Sequence, residues 1–261
     1  MIGNHIIELD SVDSTNAYAD HLLETTEPPD GTIVVAREQF AGRGQAGNSW
    51  NSEAGKNLTC SVLLYPQFLP ADRQFLLNKV ISLSVLDFVH AALQDHRMAF
   101  RTGQQRPEIP VVAIKWPNDI YVGNKKAGGI LIAHKIMGDR LKASIVGIGI
   151  NINQTLFPSG LPNPVSLAQL TGKEYDLMES RSALCRYLDL RYLALSRFGP
   201  ANLDDAYHRH LMGMGVWGKY LLQGNETEGL IKGVDDLGRL LVEDRSGDVS
   251  VYMHREIEYI L

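Results

Sequence analysis

Three polar clusters interrupt otherwise apolar stretches of this chain, and each holds residue types that handle anions. The first is Gly42-Arg43-Gly44-Gln45-Ala46-Gly47. It spells a dinucleotide fingerprint, but its context is wrong. Glu38-Gln39-Phe40-Ala41 separates it from the preceding strand-like run, no helical pattern follows, and no acidic residue ends the next strand. It also misses a P-loop, because Asn48 and Ser49 stand where the lysine and hydroxyl should be. Three glycines alone would read as a flexible surface loop. Arg43 shifts the reading toward an anion site, since glycines let backbone amides approach an anion and arginine adds a fixed charge.

The second cluster is Lys115-Trp116-Pro117-Asn118-Asp119, a polar break between two short apolar runs. Asp119 has the chemistry to bind Mg²⁺, and Asn118 that to bind a phosphate or ribose oxygen. Read alone, Pro-Asn-Asp is ordinary turn chemistry. Lys126 follows, beside Ala127-Gly128-Gly129; it is either a cation that reaches a ligand lying on the backbone or half of a solvated Lys125-Lys126 pair. The third cluster is Gly147-Ile148-Gly149-Ile150-Asn151. Two glycines on one strand face leave a groove, open either to a flat ligand or to a closely packed helix.

These residues must be held by surrounding elements. Ser14 stands ready to cap a helix over residues 17–26. Strand-like runs occupy residues 32–37 and 57–65. Residues 71–96 carry apolar side chains at helical spacing through Phe75, Leu76, Val80, Leu83, Leu86 and Val89, the longest helix expected. A polar loop with two prolines covers 102–110. Short strands at 111–114 and 120–122 flank the Trp-Pro-Asn-Asp turn. Residues 127–136 and 141–153 read as a hairpin turned at Gly138-Asp139, and 180–198 and 202–212 as helices. From Gly213 on, five short strand-like runs (217–222, 228–234, 239–243, 249–252, 257–260) alternate with turns, the pattern of a small β-barrel. The expectation is a mixed α/β domain over 1–212 and an all-β domain over 213–261.

Composition bounds the partners. The chain has 261 residues, 44% hydrophobic and 21% charged, with a formal net charge of -5, so no basic surplus exists to hold nucleic acid. No apolar run appears long enough to span a bilayer, and residues 1–10 lack the layout of a secretory signal. Cys60 and Cys185 sit in strand-like and helix-like runs and are expected to be buried thiols, as suits a reducing cytoplasm. The eight histidines show no metal-ligand spacing.

Taken together and in order, Asp13-Ser14-Thr15-Asn16, the glycine loop with Trp50, Lys115–Asp119, Lys126-x-x-Gly129-Ile130-Leu131 and Gly147–Asn151 resemble the biotin–protein ligase family across residues 10 to 153. Each motif is weak alone; the ordered set is specific. The resemblance implies an α+β fold, a mixed-sheet catalytic domain of the class II aminoacyl-tRNA synthetase/biotin ligase-like type followed by an SH3-like β-barrel. It implies that Ser14, Thr15, Asn16 and Gln39 hydrogen-bond the ureido end of biotin. Gly129, Gly147 and Gly149 would line the biotin groove. Arg43, Gly44 and Gln45 would belong to a loop closing over biotin and nucleotide. Lys126 would lie between the biotin carboxylate and the α-phosphate, with Arg43 as the second catalytic cation. Asn118, Asp119 and Asn151 would face ATP and Mg²⁺, and Trp50 would wall the nucleotide pocket. Some family members carry arginine where Gln45 stands.

The implied activity is biotin–protein ligation. Biotin and ATP form biotinyl-5'-AMP with release of pyrophosphate, and biotin then passes to a lysine of the biotin carboxyl carrier protein of a carboxylase. No membrane and no DNA partner are expected, because the N-terminal helix-turn-helix of repressor-type members is missing; a homodimer is compatible with the resemblance. A loop at residues 42–56 that orders on ligand binding would keep water from the adenylate. The competing readings are a lipoate–protein ligase of the same fold, an octanoyl transferase using a thiol or lysine, and a non-enzymatic nucleotide- or biotin-binding regulator.

Overall fold

The computed structural model describes residues 1–98, 108 and 110–260; the expected polar loop at 102–110 lies, apart from Glu108 and Pro110, outside the described residues. The chain begins with β1 (Ile6–Val12), α1 (Thr15–Thr25) and β2 (Ile33–Gln39). A short 3₁₀ turn at Gln45–Gly47 precedes β3 (Leu58–Leu64), and another at Ala71–Arg73 precedes α2 (Phe75–Met98). Then come β4 (Val112–Lys115), β5 (Asp119–Val122), β6 (Lys125–Met137) and β7 (Arg140–Ile150). The helices α3 (Leu167–Thr171), α4 (Leu177–Phe198) and α5 (Leu203–Arg209) follow. The chain closes with β8 (Trp217–Leu222), β9 (Asn225–Val234), β10 (Leu240–Glu243), β11 (Val249–Tyr252) and β12 (Ile257–Tyr259).

The first seven strands form one mixed sheet in the order β1-β2-β3-β7-β6-β5-β4, parallel only between β1 and β2. The fold is therefore α+β with a mixed sheet. Its two faces differ because side chains alternate along a strand. Val146, Ile148 and Ile150 of β7 join the large core beneath α2 and α4, whereas Ile145 packs with Val34, Leu63 and Ala19 of α1. Gly147 and Gly149 share the α1 face. Gly138, at φ +63, turns the expected β6–β7 hairpin, where a residue without Cβ adopts the left-handed region freely.

Local chemistry explains the helix ends. In α3, the Ser166 hydroxyl accepts from the Gln169 N–H while the Gln169 side chain accepts from the Ser166 N–H, a reciprocal capping box. Asp176 caps α4 by accepting from Glu179 N–H at 2.8 Å. Ser14 does stand at the N-cap of α1 in extended conformation, but its side chain makes no capping hydrogen bond. The residue is buried, and its backbone N–H donates to Asp13 Oδ1 at 2.7 Å.

Three expectations change. Helix α2 is long and apolar enough to cross a membrane, contrary to the reading that no segment is. Most of its apolar side chains are buried inside the protein, and Lys79, with 1% exposure, is buried among them, as suits a core helix. Strand β1 was not anticipated because its alternation is half polar, and α3, five residues long, is too short to show a period.

The five C-terminal strands form a second, antiparallel sheet ordered β11-β10-β9-β8-β12. Ile231, Val234, Leu240 and Val242 belong to the same continuous core as α2. The Trp116 indole donates to Gly238 O at 2.9 Å, and Arg73 pairs with Asp236 at 2.6 Å, so the second sheet is tied to the turn that carries Asp119.

Candidate functional site

Register places the chemistry-bearing residues in two rows across the α1 face. Thr59 of β3 faces Gly149 of β7, Gly149 faces Gly129 of β6, and Gly129 faces Asp119 of β5. Two residues along, Ser61 faces Gly147 and Gly147 faces Leu131. The glycines make this floor shallow enough for other groups to lie on it. A Cβ on Gly147 would strike the Asn16 carboxamide, and one on Gly149 would strike the Trp50 indole, 2.6 Å from Cζ2. The packed-helix reading of the glycine strand holds at Gly147, where a helix residue lies over the floor, and the protein's own Trp50 ring lies over Gly149.

Lys126 is the second residue of β6, its backbone held by Asn163 O at 2.7 Å and by the Val165 N–H at 2.9 Å. Its ammonium is 2.7 Å from the Asp119 carboxylate and 6.0 Å from the Trp50 ring centre. Lys126, an expected cation, and Asp119, the expected Mg²⁺ ligand, therefore meet as an ion pair that is about a quarter exposed, 29% and 25%. Among the described residues no cluster of three or more His, Cys, Asp or Glu could hold a metal. One carboxylate, already paired, does not make a cage; it suits only an ion carried mainly by phosphate oxygens.

Asn118 and Asn151 serve first as braces. The Asn118 amide donates to Ile130 O, and the Asn151 amide to Lys126 O at 3.3 Å and Val165 O at 3.2 Å. Both are buried; Asn151 has spent both amide protons and keeps only its oxygen for a ligand, whereas Asn118 keeps its oxygen and one N–H. Lys115, covered by Tyr121 and Tyr259 with its ammonium 5.4 Å from each ring centre, has its pKa lowered by burial, an effect that Asp119 opposes.

The glycine loop has a defined form. Trp50 N–H donates to Gly42 O at 2.8 Å, Gly44 N–H to Asn48 O at 2.7 Å, and Arg43 bridges Ser49. The Arg43 side chain is exposed, makes no ion pair among the described residues, and is not among the residues that line the cavity against Lys126. Gln45 Oε1 and Trp50 Nε1 are buried without a hydrogen-bond partner.

Two cavities share Trp50 as a wall. One, of about 330 Å³, lies against Lys126, Asn151, Phe157 and Pro164; the other, of about 530 Å³, against Gln39, Gly42 and Gln154. Gln39 accepts from Thr15 N–H at 2.7 Å and links the second cavity to the start of α1. Sequence reasoning missed two contributors. The segment from Leu156 to Pro164 walls both cavities, and its Pro, Gly and Ser content reads as loop and nothing more. Ser61 touches Thr15 and Asn16, and its only signal is a polar residue alternating with Thr59 in an apolar strand. Cys60 and Cys185 are buried free thiols whose pKa values burial raises, which leaves neither suited to nucleophilic transfer.

The model of the biotin/lipoate A/B protein ligase family matches residues 8–151. The bifunctional ligase/repressor BirA of Bacillus spizizenii is 31% identical over 97% of this chain and 73% of its own length. The biotin–[acetyl-CoA-carboxylase] ligase of Paracoccus denitrificans is 30% identical over 90% of this chain and 92% of its own. Among solved structures, the biotin protein ligase of Aquifex aeolicus in complex with biotin and ATP superposes with a TM-score of 0.74 at 26% identity, covering 98% of this chain and all (100%) of that one.

Proposed function

The chain belongs to the biotin/lipoate A/B protein ligase family, and from that premise we infer that it is a biotin–protein ligase. The observation that carries the reading is the pair of cavities on either side of Trp50, one reaching the Gln39–Thr15 contact and the other Lys126. A bicyclic ring on the glycine groove beneath Trp50 and a nucleotide in the cavity against Lys126 would meet at the Trp50–Lys126 boundary.

The chemistry follows from the weakness of a carboxylate as an acylating agent. One biotin carboxylate oxygen attacks the α-phosphorus of ATP, and pyrophosphate leaves, giving biotinyl-5'-AMP. The ε-amine of a carrier lysine then attacks the acyl carbon; the C–O bond breaks, AMP leaves, and the amine loses a proton. The first step gathers negative groups, so it depends on cations rather than on a base. Lys126 is the cation at the floor, and Arg43 would have to fold in from the loop to supply a second. Mg²⁺, when bound, neutralises phosphate charge; the residues present fit an ion held by the phosphates with Asp119 as its one protein carboxylate. Ser14, Thr15, Asn16 and Gln39 take the ureido end, Gly129, Gly147 and Gly149 the groove, and Gly44 and Gln45 the lid.

The finer architecture is proposed on the same footing. The catalytic unit spans 1–212 with the class II synthetase-like arrangement, and 213–261 forms an SH3-like barrel, supported by the five antiparallel strands. The carrier is the biotin carboxyl carrier protein of a carboxylase, in the cytoplasm.

Lipoate ligation is the second reading, because the family takes in ligases for biotin and for lipoate. Pyrophosphate release by the purified chain separates them: it should require biotin, and lipoate should not replace it. Release with lipoate alone would reverse the assignment.

A further inference from the structure

Ser61 is fully buried (0% exposed), on β3 opposite Gly147. Its Oγ lies 2.5 Å from Asn16 Oδ1 and 2.8 Å from Thr15 Oγ1. A hydroxyl has one proton, so it can donate to only one of them. The other end of Asn16 decides which. The Asn16 carboxamide also meets Leu131 O at 3.2 Å. A carbonyl has no proton, so the atom facing it is Nδ2, and Oδ1 must face Ser61. Oδ1 has no proton either, so the Ser61 proton lies on the Asn16 contact. The Thr15 hydroxyl must then donate to Ser61.

The consequence is a fixed polarity. The Thr15 oxygen keeps its lone pairs and can accept. Asn16 keeps one Nδ2 proton and can donate. Gln39 is set the same way: its Oε1 accepts from Thr15 N–H at 2.7 Å, which leaves Nε2 as a donor. One hydroxyl acceptor and two amide donors match a ring bearing an N–H beside a C=O. A dithiolane ring offers neither group.

We propose that Ser61 is a positioning residue for specificity: it fixes the donor and acceptor directions of Thr15 and Asn16 and so selects a cyclic urea. This rests on the biotin reading above and names the residue that enforces it. Ser61 touches no substrate. Without its hydroxyl the Asn16 amide loses the donor that holds its oxygen inward, and the Thr15 hydroxyl can turn and present its proton to the ligand.

The test is calorimetric binding of biotin and of 2-iminobiotin to the full chain without ATP. 2-Iminobiotin, protonated at neutral pH, carries an N–H donor in place of the ureido carbonyl. The unaltered chain should prefer biotin strongly. In Ser61→Ala the biotin Kd should rise about tenfold, and the preference over 2-iminobiotin should narrow by a similar factor. Ser61→Cys, close in shape with a weak donor, should fall between and guards against a variant that fails to fold. The KM for ATP should not move in either. An unchanged biotin-to-iminobiotin ratio in both variants would overturn the proposal while leaving the biotin reading intact. No biotin binding by the unaltered chain would overturn both.

Discussion

The Lys126 ammonium lies 2.7 Å from the Asp119 carboxylate, across the β5–β6 hairpin and beside the Trp50 ring. An arriving phosphate would compete with Asp119 for that ammonium, so the ion pair holds the cation in place until substrate binds. Lys126→Ala should lower biotin-dependent pyrophosphate release about 100- to 1,000-fold, the cost of losing one preorganised group at developing charge. Because the pair is partly exposed, thermal unfolding should shift by no more than about 1 kcal/mol. Unchanged release rates would remove Lys126 from the mechanism.

Gly149 makes room for Trp50. In Gly149→Ala the new Cβ would collide with the indole, which must leave the groove. Acrylamide quenching of tryptophan fluorescence should increase in this variant and biotin affinity should fall. The same substitution in a Trp50→Phe background should leave quenching unchanged. The overpacking should cost about 1–3 kcal/mol unless the ring swings fully clear. Equal quenching in Gly149→Ala and the unaltered chain would contradict the contact.

An asymmetry is expected at Lys79. Its side chain is 2% exposed and its ammonium is 2.7 Å from Asp204, which is 52% exposed. Asp204→Ala leaves a buried cation without its carboxylate, and should cost up to about 3 kcal/mol. Lys79→Met removes the buried charge and returns Asp204 to water, so urea unfolding should show a much smaller loss or none. Equal losses in the two variants would contradict this account.

His134 should make stability fall in mild acid. Burial lowers its pKa below the ordinary 6.5, and its Nδ1 contacts Ser144 Oγ at 2.8 Å. The unfolded chain therefore binds the proton at higher pH than the folded one. The contribution is complete above 6.5 and is lost as pH falls through the lower folded value. His134→Gln should reduce the drop in Tm between pH 7.5 and about 5. An identical drop in the variant would show that other groups carry it.

Much of this site could be read before the fold was known, and the reason is local. Gly129, Gly147 and Gly149 sit in apolar strands where a missing side chain is conspicuous, and Lys126 and Asp119 are close enough in sequence for one hairpin to join them. What could not be read depends on distant pairing. Trp50 meets Gly149, and Ser61 meets Asn16, only because β3 lies against β7 and α1 covers both. Residues 156–164 form cavity walls without any periodicity to mark them. Asn118 and Asn151, read as ligand groups, turn out to hold backbone carbonyls as well.

The most direct measurement follows an oxygen atom. Biotin labelled with ¹⁸O in its carboxylate is supplied with ATP, Mg²⁺, the enzyme and the carrier protein, and the released nucleotide is weighed by mass spectrometry. Attack of the carboxylate on the α-phosphorus predicts one labelled oxygen in AMP and none in pyrophosphate. Unlabelled AMP, or label in pyrophosphate or orthophosphate, would contradict the account.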